Sequence, residues 1–328
     1  MERLMAELNS IDMPDNIAKH CTLKAAWKAM NHVHYNFTHQ AKKLGLLITG
    51  PSGIGKTLLA ETYASQMKGR ESEEKVTIPV LHHEVAIETN SPSALLRGII
   101  MRMGAPLPRK AVDFIELFAQ FNQLLVELEV ELLIIDEVQH TLPKNDGIKT
   151  QQMLKCFASM LDKSGVPIVF MGTQAANRLM TFGTTKKDYD DDEQLSRRMI
   201  KPVKLHQIIP ISKESLNVFN YFMARENLPL LQNNERELIT RLNLAYINGH
   251  FGTLDKLFKG YDFSYVRDRI MLLDALKESF DLNCPCEANP FNEQDYNAID
   301  ATLVVEKHKV WVNEWRAEHG YPTSMPAK

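Results

Sequence analysis

Residues 44–57 read Leu44-Gly45-Leu46-Leu47-Ile48-Thr49-Gly50-Pro51-Ser52-Gly53-Ile54-Gly55-Lys56-Thr57. The first six form a short, almost wholly apolar run, the kind a strand shows when helices cover both of its faces. The next eight match GxxxxGK(S/T), and an amphipathic segment of helix length follows to Met67. Strand, glycine turn and helix in that order make a phosphate cradle. Several backbone N–H groups must converge on the phosphate oxygens, which glycines allow, while the helix points its positive N-terminus inward. Gly50, Pro51, Ser52, Gly53, Ile54, Gly55, Lys56, Thr57 and Leu58 are therefore the expected nucleotide-binding stretch. Lys56 is expected to put its charge on the β and γ phosphates of ATP, and Thr57 to offer a hydroxyl to Mg2+. A chance glycine-rich turn is the competing reading, and the strand and helix flanks count against it.

Outward from this stretch the same alternation continues. Apolar runs at 44–49, 78–85, 131–136, 166–171 and 202–208 predict strands, and segments 56–67, 92–103, 112–129, 149–162 and 174–180 predict helices between them. Such alternation implies an α/β fold with a parallel sheet and crossover helices. After Pro210 the strand signals stop, and 212–226, 234–248, 252–259 and 264–280 all predict helices. Pro285 and Pro290 bar helix from 283–290, and a last helix is expected near 303–318. The expected organisation is an N-terminal strap packed on the main domain (1–40), an α/β domain (41–210), a small all-helical lid (211–281) and a tail with one helix (282–328). On that tail helix Val304, His308, Trp311 and Trp315 share a stripe, suited either to a partner or to the chain's own lid.

Bulk properties narrow the setting. In 328 residues, 44% of them apolar, there is ample material for a buried core. No apolar run approaches the roughly 20 residues that cross a bilayer, and Met1–Met13 lacks the pattern of a signal peptide, so a cytoplasmic protein with no membrane contact is expected. Four cysteines in such a chain make no disulfide framework, and Cys284 and Cys286, one residue apart, lack zinc-knuckle spacing. The net charge of −3 supplies no global field for nucleic acid, so any such contact must be local or shared among subunits.

Three further motifs bear on chemistry. Residues 131–137, Glu131-Leu132-Leu133-Ile134-Ile135-Asp136-Glu137, are an apolar strand ending in two acids. Asp136 is placed for Mg2+ and Glu137 for a water aimed at the γ phosphate; two solvated acids are the plainer alternative. The run 166–171 leads to Gly172-Thr173-Gln174, where Thr173, then Gln174, would report on the γ phosphate or simply cap the next helix. In 188–199 the acids Asp190, Asp191 and Asp192 read as a solvated loop, followed by Arg197 and Arg198. An arginine there would reach a neighbouring subunit's γ phosphate, an effect of about 10³-fold where it operates, or else pair with those aspartates. His82 and His83, adjacent on a strand, point to opposite faces and read as sheet residues rather than ligands.

With GPSGIGKT, ELLIIDEVQH, IVFMGT and DEQLSRRM in this order, the chain resembles the TnsC/TniB family of AAA+ transposition ATPases over roughly 15–270. By that resemblance Arg198 matches the family's trans-acting arginine, with Arg197 in reserve. Residues 248–257 resemble its glycine-containing lid helix, although no arginine stands where many AAA+ proteins carry a second sensor, which leaves Lys256 as the substitute. The resemblance implies an ATPase that forms a homo-oligomeric ring or helical filament on double-stranded DNA, between a target-selection protein and a transposase. Arg102, Arg109, Lys110 and Lys149, with Arg97 and Lys144 near them, are the candidate DNA contacts, each equally readable as solvated surface. A helicase loader or replication initiator with the same ATPase parts is the alternative; it would normally add a dedicated module for which the helical lid leaves little room. An unfoldase would need an aromatic-apolar-glycine pore loop, absent after the second strand, and a small-molecule kinase an acceptor pocket.

Overall fold

The computed structural model describes residues 12–15, 17–39, 43–67, 69, 76–87, 89–106, 113–143, 147–181 and 195–324. Within them the chain divides into two compact units. One comprises Ala25–Gly50 and Lys56–Leu205. The other gathers Met13–Lys24, Pro51–Gly55 and the chain from His206 onward.

Helix α1 (Cys21–His39) lies in the segment read as a strap and begins before the division. Its part in the first unit buries Ala26, Trp27, Met30 and Val33. Trp27 meets the Tyr63 ring edge-on, and His34 bridges the Tyr63 hydroxyl and the Glu131 carboxylate, both at 3.1 Å. Then follow β1 (Gly45–Thr49), α2 (Lys56–Gln66), β2 (Val80–Glu84), α3 (Pro92–Arg102), α4 (Phe114–Glu127), β3 (Leu132–Asp136), α5 (Ile148–Lys163), β4 (Ile168–Gly172), α6 (Arg178–Thr181) and β5 (Val203–Lys204). The strands make one parallel sheet in the order β2-β3-β4-β1-β5. Strands β1, β3 and β4 are buried along their whole length, because helices cover both faces of the sheet's centre. Each fully buried Leu, Ile or Phe contributes about 1.5–3 kcal/mol relative to exposure. Consecutive positions in this order place the ends of β1, β4 and β3 side by side on one edge of the sheet, where α/β proteins build their sites.

Two expectations in this unit need correction. The strand expected at 202–208 is only Val203 and Lys204, paired with Ile48 and Thr49 at the open edge. Pro202 lacks an N–H to extend the ladder backwards, and from His206 the chain belongs to the second unit. The helix expected at 174–180 divides into a 3-10 turn, Gln174–Asn177, and α6.

In the second unit, α7 (Lys213–Arg225) opens with a capping box between Ser212 and Ser215. Helix α8 (Arg236–Lys259) contains the break expected between two lid helices: Gly249 and His250 leave helical geometry, His250 at φ 59°. Helix α9 (Arg269–Asn283) starts later than its apolar pattern suggests, because Asp268 accepts from the Met271 N–H and caps it there. The short α10 (Glu293–Ala298), unread in the sequence, is capped by Asn292, and α11 (Ala301–His319) closes the unit. The core joining α8 to α11 is Leu244, Ala301 and Val305.

Candidate functional site

The phosphate loop starts where β1 runs out. The Gly50 N–H donates to the Gly172 carbonyl across 3.2 Å, tying the loop's first residue to the end of β4. Gly53 and Gly55 sit at φ 74° and 92°, left-handed conformations that a side chain disfavours. Within the second unit the Gly53 carbonyl accepts from the Gly252 N–H at 3.1 Å, and a Cβ on Gly53 would stand 2.8 Å from the Gly249 oxygen. Lys56 opens α2 with a buried side chain whose Nζ donates to the Gly50 carbonyl at 3.1 Å, curled over its own loop. Burial lowers the Lys56 pKa, while the carboxylates of Glu137 and Asp136 act against that shift.

At the second residue of α2, the Thr57 hydroxyl donates to Asp136 Oδ2 at 2.7 Å. Asp136, fully buried at the end of β3, also accepts the Glu137 N–H on Oδ1 at 2.8 Å. Burial alone would raise the Asp136 carboxyl, but His82, the Thr57 hydroxyl and the Glu137 N–H outweigh it and hold the group below its ordinary range. Hydroxyl and ionised carboxylate together are hard oxygen donors. They fit Mg2+, which takes one or two protein ligands and fills its octahedron with water and phosphate oxygens. Among the described residues no group of three His, Cys, Asp or Glu forms a separate cage.

Past Asp136 the chain turns sharply, with Glu137 at φ 54° and ψ 35° ahead of the 3-10 turn Val138–Thr141. Glu137 keeps about a quarter of its side chain exposed, with His140 Nε2 3.8 Å from its Oε2. Gln139 Nε2 donates to that same oxygen, and Gln139 Oε1 accepts the Thr173 N–H at 3.1 Å. Thr173 precedes the 3-10 turn after β4, but its hydroxyl makes no cap there. His82 also comes into the site: its ring is about nine-tenths buried, with Nε2 3.7 Å from Asp136 Oδ2, beyond hydrogen-bond reach and without a hydrogen-bond partner. His83, one residue on, lies against Gly98 of α3. Gln139 was not singled out in the sequence, and His82 was read there as a sheet residue rather than a ligand. The readable signal for His82 was the parallel neighbourhood of β2 and β3, which requires knowing the strand order.

Arg198 lies on the 3-10 turn Ser196–Arg198 and grips Asp162 of α5 in bidentate fashion, at 2.7 and 2.6 Å. The hydrogen bonds that Arg198 donates to Asp162 raise the arginine's pKa. Arg197 beside it is exposed. Arg102 and Lys149 are exposed, Arg102 donating its Nε to the His82 carbonyl at 3.0 Å, and Lys256 is exposed on α8. Arg109, Lys110, Lys144 and Asp190–Asp192 fall outside the described residues.

A family model of the bacterial TniB protein matches residues 11–207, a span that takes in the loop, both acids, Thr173 and Arg198. The chain belongs to the TniB family. The matched span ends before α7, so the helices from Lys213 onward lie outside it. Among solved structures, the ORC2 protein of Aeropyrum pernix in its ADPNP–ADP complexes is similar at TM-score 0.54 and 16% identity, covering 85% of this chain and 72% of that one. The Walker-type ATPase PABY2304 of Pyrococcus abyssi is similar at TM-score 0.52 and 15% identity, covering 84% and 75%. At such identity the likeness establishes the fold alone, a five-stranded parallel sheet flanked by helices with a helical part after it, as in these P-loop ATPases. No curated protein sequence matches this TniB-family chain. Among its described residues no helix is long and apolar enough to cross a membrane.

Proposed function

We propose that this TniB-family protein is an ATPase that assembles with ATP on double-stranded DNA, links a target-selection protein to a transposase, and disassembles on hydrolysis. The observation that carries the ATPase part is the 2.7 Å bond between Thr57 and Asp136, beside a lysine buried in a left-handed glycine loop. Family membership carries the link to transposition.

In this reading Gly50 to Leu58 hold the polyphosphate through backbone N–H groups, and Lys56 exchanges the Gly50 carbonyl for the β and γ phosphates. Thr57 and Asp136 hold Mg2+, which when bound neutralises charge on the phosphate oxygens. Glu137 orients a water for in-line attack: the water oxygen bonds to the γ phosphorus, the bond to the bridging oxygen breaks, and ADP and phosphate leave. Thr173 stands at the strand tip beside this path. Arg198 completes the site of a neighbouring copy after releasing Asp162. Arg102 and Lys149, with Arg109 and Lys110, are the proposed contacts to DNA phosphates; each one removed should flatten the salt dependence by about one unit.

Electron micrographs of the protein with duplex DNA and a non-hydrolysed ATP analogue should show rings or filaments around DNA. Free protein and bare DNA under those conditions would overturn the assembly reading. Arg198→Ala should slow turnover in the assembled form and leave the dilute protein's slow basal rate unchanged; full activity of the assembled variant would remove the arginine from its role.

A further inference from the structure

Between the acid after β3 and the tip of β4 stands a side chain that the mechanism above leaves without a task. Gln139 Nε2 donates to Glu137 Oε2, while Gln139 Oε1 accepts the Thr173 N–H at 3.1 Å. The space for this amide exists because residue 172 has no side chain. A Cβ on Gly172 would lie 2.4 Å from Gln139 Oε1 and 2.9 Å from the Ala176 Cβ. Glu137 itself sits in the left-handed region, uncommon for a residue with a Cβ, which turns its carboxylate back over the Val138–Thr141 turn and onto the amide.

The chemistry of the three partners selects the linker. An ionised carboxylate only accepts hydrogen bonds and a backbone N–H only donates them, so one neutral side chain can bridge them only if it carries a donor and an acceptor side by side. A primary amide does. His140 stands near the same carboxylate, but at 3.8 Å it makes no hydrogen bond. With Oε2 engaged by Gln139, the other carboxylate oxygen of Glu137 is left to meet water.

We propose that Gln139 is a positioning residue for hydrolysis: it locks the Glu137 carboxylate to the backbone of Thr173, so that the aim of the acid follows the tip of β4. The inference rests on the reading of Glu137 as the group that orients water. It gives the acid and the strand tip, which flank the γ-phosphate position from two strands, one shared and oriented connection.

The test is a comparison of Gln139→Leu, which keeps the length and removes both hydrogen bonds, with the wild-type protein assembled on duplex DNA. Expected are affinity for a non-hydrolysed Mg2+–ATP analogue within about twofold by calorimetry, an unchanged KM, and a kcat lower by about 10- to 100-fold, the scale of a reacting group misplaced by about 1 Å. Gly172→Ala, which displaces the amide while leaving Gln139 and Glu137 in place, should show the same split and add little further loss in the Gln139→Leu background. A kcat equal to wild type in Gln139→Leu would overturn the proposal. A parallel loss of analogue binding and thermal stability would overturn it too, since the amide would then merely brace the turn; should Gln139→Leu fail to fold, Gly172→Ala and Gln139→Asn decide by the same split. Glu137→Gln separates the two readings. If that variant turns over ATP, the reading of Glu137 has failed; if it is inert while Gln139→Leu is fully active, only the inference has failed.

Discussion

At the scale of single residues, the candidate site is a set of polar groups that satisfy one another. Lys56 rests on the Gly50 carbonyl, Thr57 on Asp136, Glu137 on Gln139 and Arg198 on Asp162. In the proposed reading the bonds of Lys56 and Thr57 are ones that a phosphate and a metal ion replace, while Gln139 keeps its hold on Glu137. Removing Lys56 removes the only full positive charge in the loop, so Lys56→Ala should abolish ATP binding; calorimetry with an undiminished heat would contradict that assignment. Glu137→Gln keeps the shape and loses the charge that attracts the water proton, so ATP should stay bound while phosphate release falls by at least about 100-fold. The Arg198–Asp162 pair is partly exposed, and such pairs are worth at most about 1 kcal/mol. Asp162→Ala should therefore leave thermal stability nearly unchanged and lower, by up to about fivefold, the protein concentration at which turnover reaches half its maximum. An unchanged concentration dependence would show that Asp162 does not compete for the arginine.

At the scale of elements, the second unit is tied together by one carboxylate at the start of α7. Glu214 accepts the Cys21 N–H at 3.0 Å, the Ile209 N–H at 3.2 Å and the Arg316 guanidinium at 2.6 Å. Its place in the first turn of α7 also suits a negative charge. Arg316, on α11, is buried and donates as well to the Gln207 carbonyl at 2.8 Å. Truncating one member of a buried pair leaves the other charge without compensation, so Arg316→Ala should cost about 3–5 kcal/mol, read as a fall in the denaturant midpoint. A cost below about 1 kcal/mol would mean that water reaches Glu214 freely. The tail helix therefore belongs to its own unit: Trp315 stacks on His206 at 3.8 Å and on His319 at 4.0 Å. Of the stripe read from the sequence, Val304 and Trp311 keep 40% and 46% of their surface exposed.

At the scale of the whole molecule, a net charge of −3 gives electrostatics little hold on stability, and the pH response comes from buried histidines. Burial holds His20 down to about 3, and His206 and His250 to about 4. A folded-state pKa below the unfolded value of about 6.5 means that the unfolded chain binds more protons, so stability falls as pH drops below 6.5. His20 alone, stacked on Phe251 and almost fully buried, should cost about 2 kcal/mol at pH 5. The melting temperature should fall between pH 7 and pH 5, with a shallower slope in His20→Gln; an identical slope would assign the effect to other groups. The sheet, its parallel order of helix and strand, the phosphate loop and the acidic pair were all legible in the sequence. Each depends on local spacing: apolar runs of strand length, glycines at fixed intervals, and acids one residue past a buried strand. Strand order, the bond from Thr57 to Asp136, the Gln139 bridge into the space at Gly172, the Arg198–Asp162 pair and the meeting of three segments on Glu214 were not. Those depend on which residues distant in the chain become neighbours, and only tertiary packing decides that, since a short polar side chain carries no periodic mark of the partner it will meet.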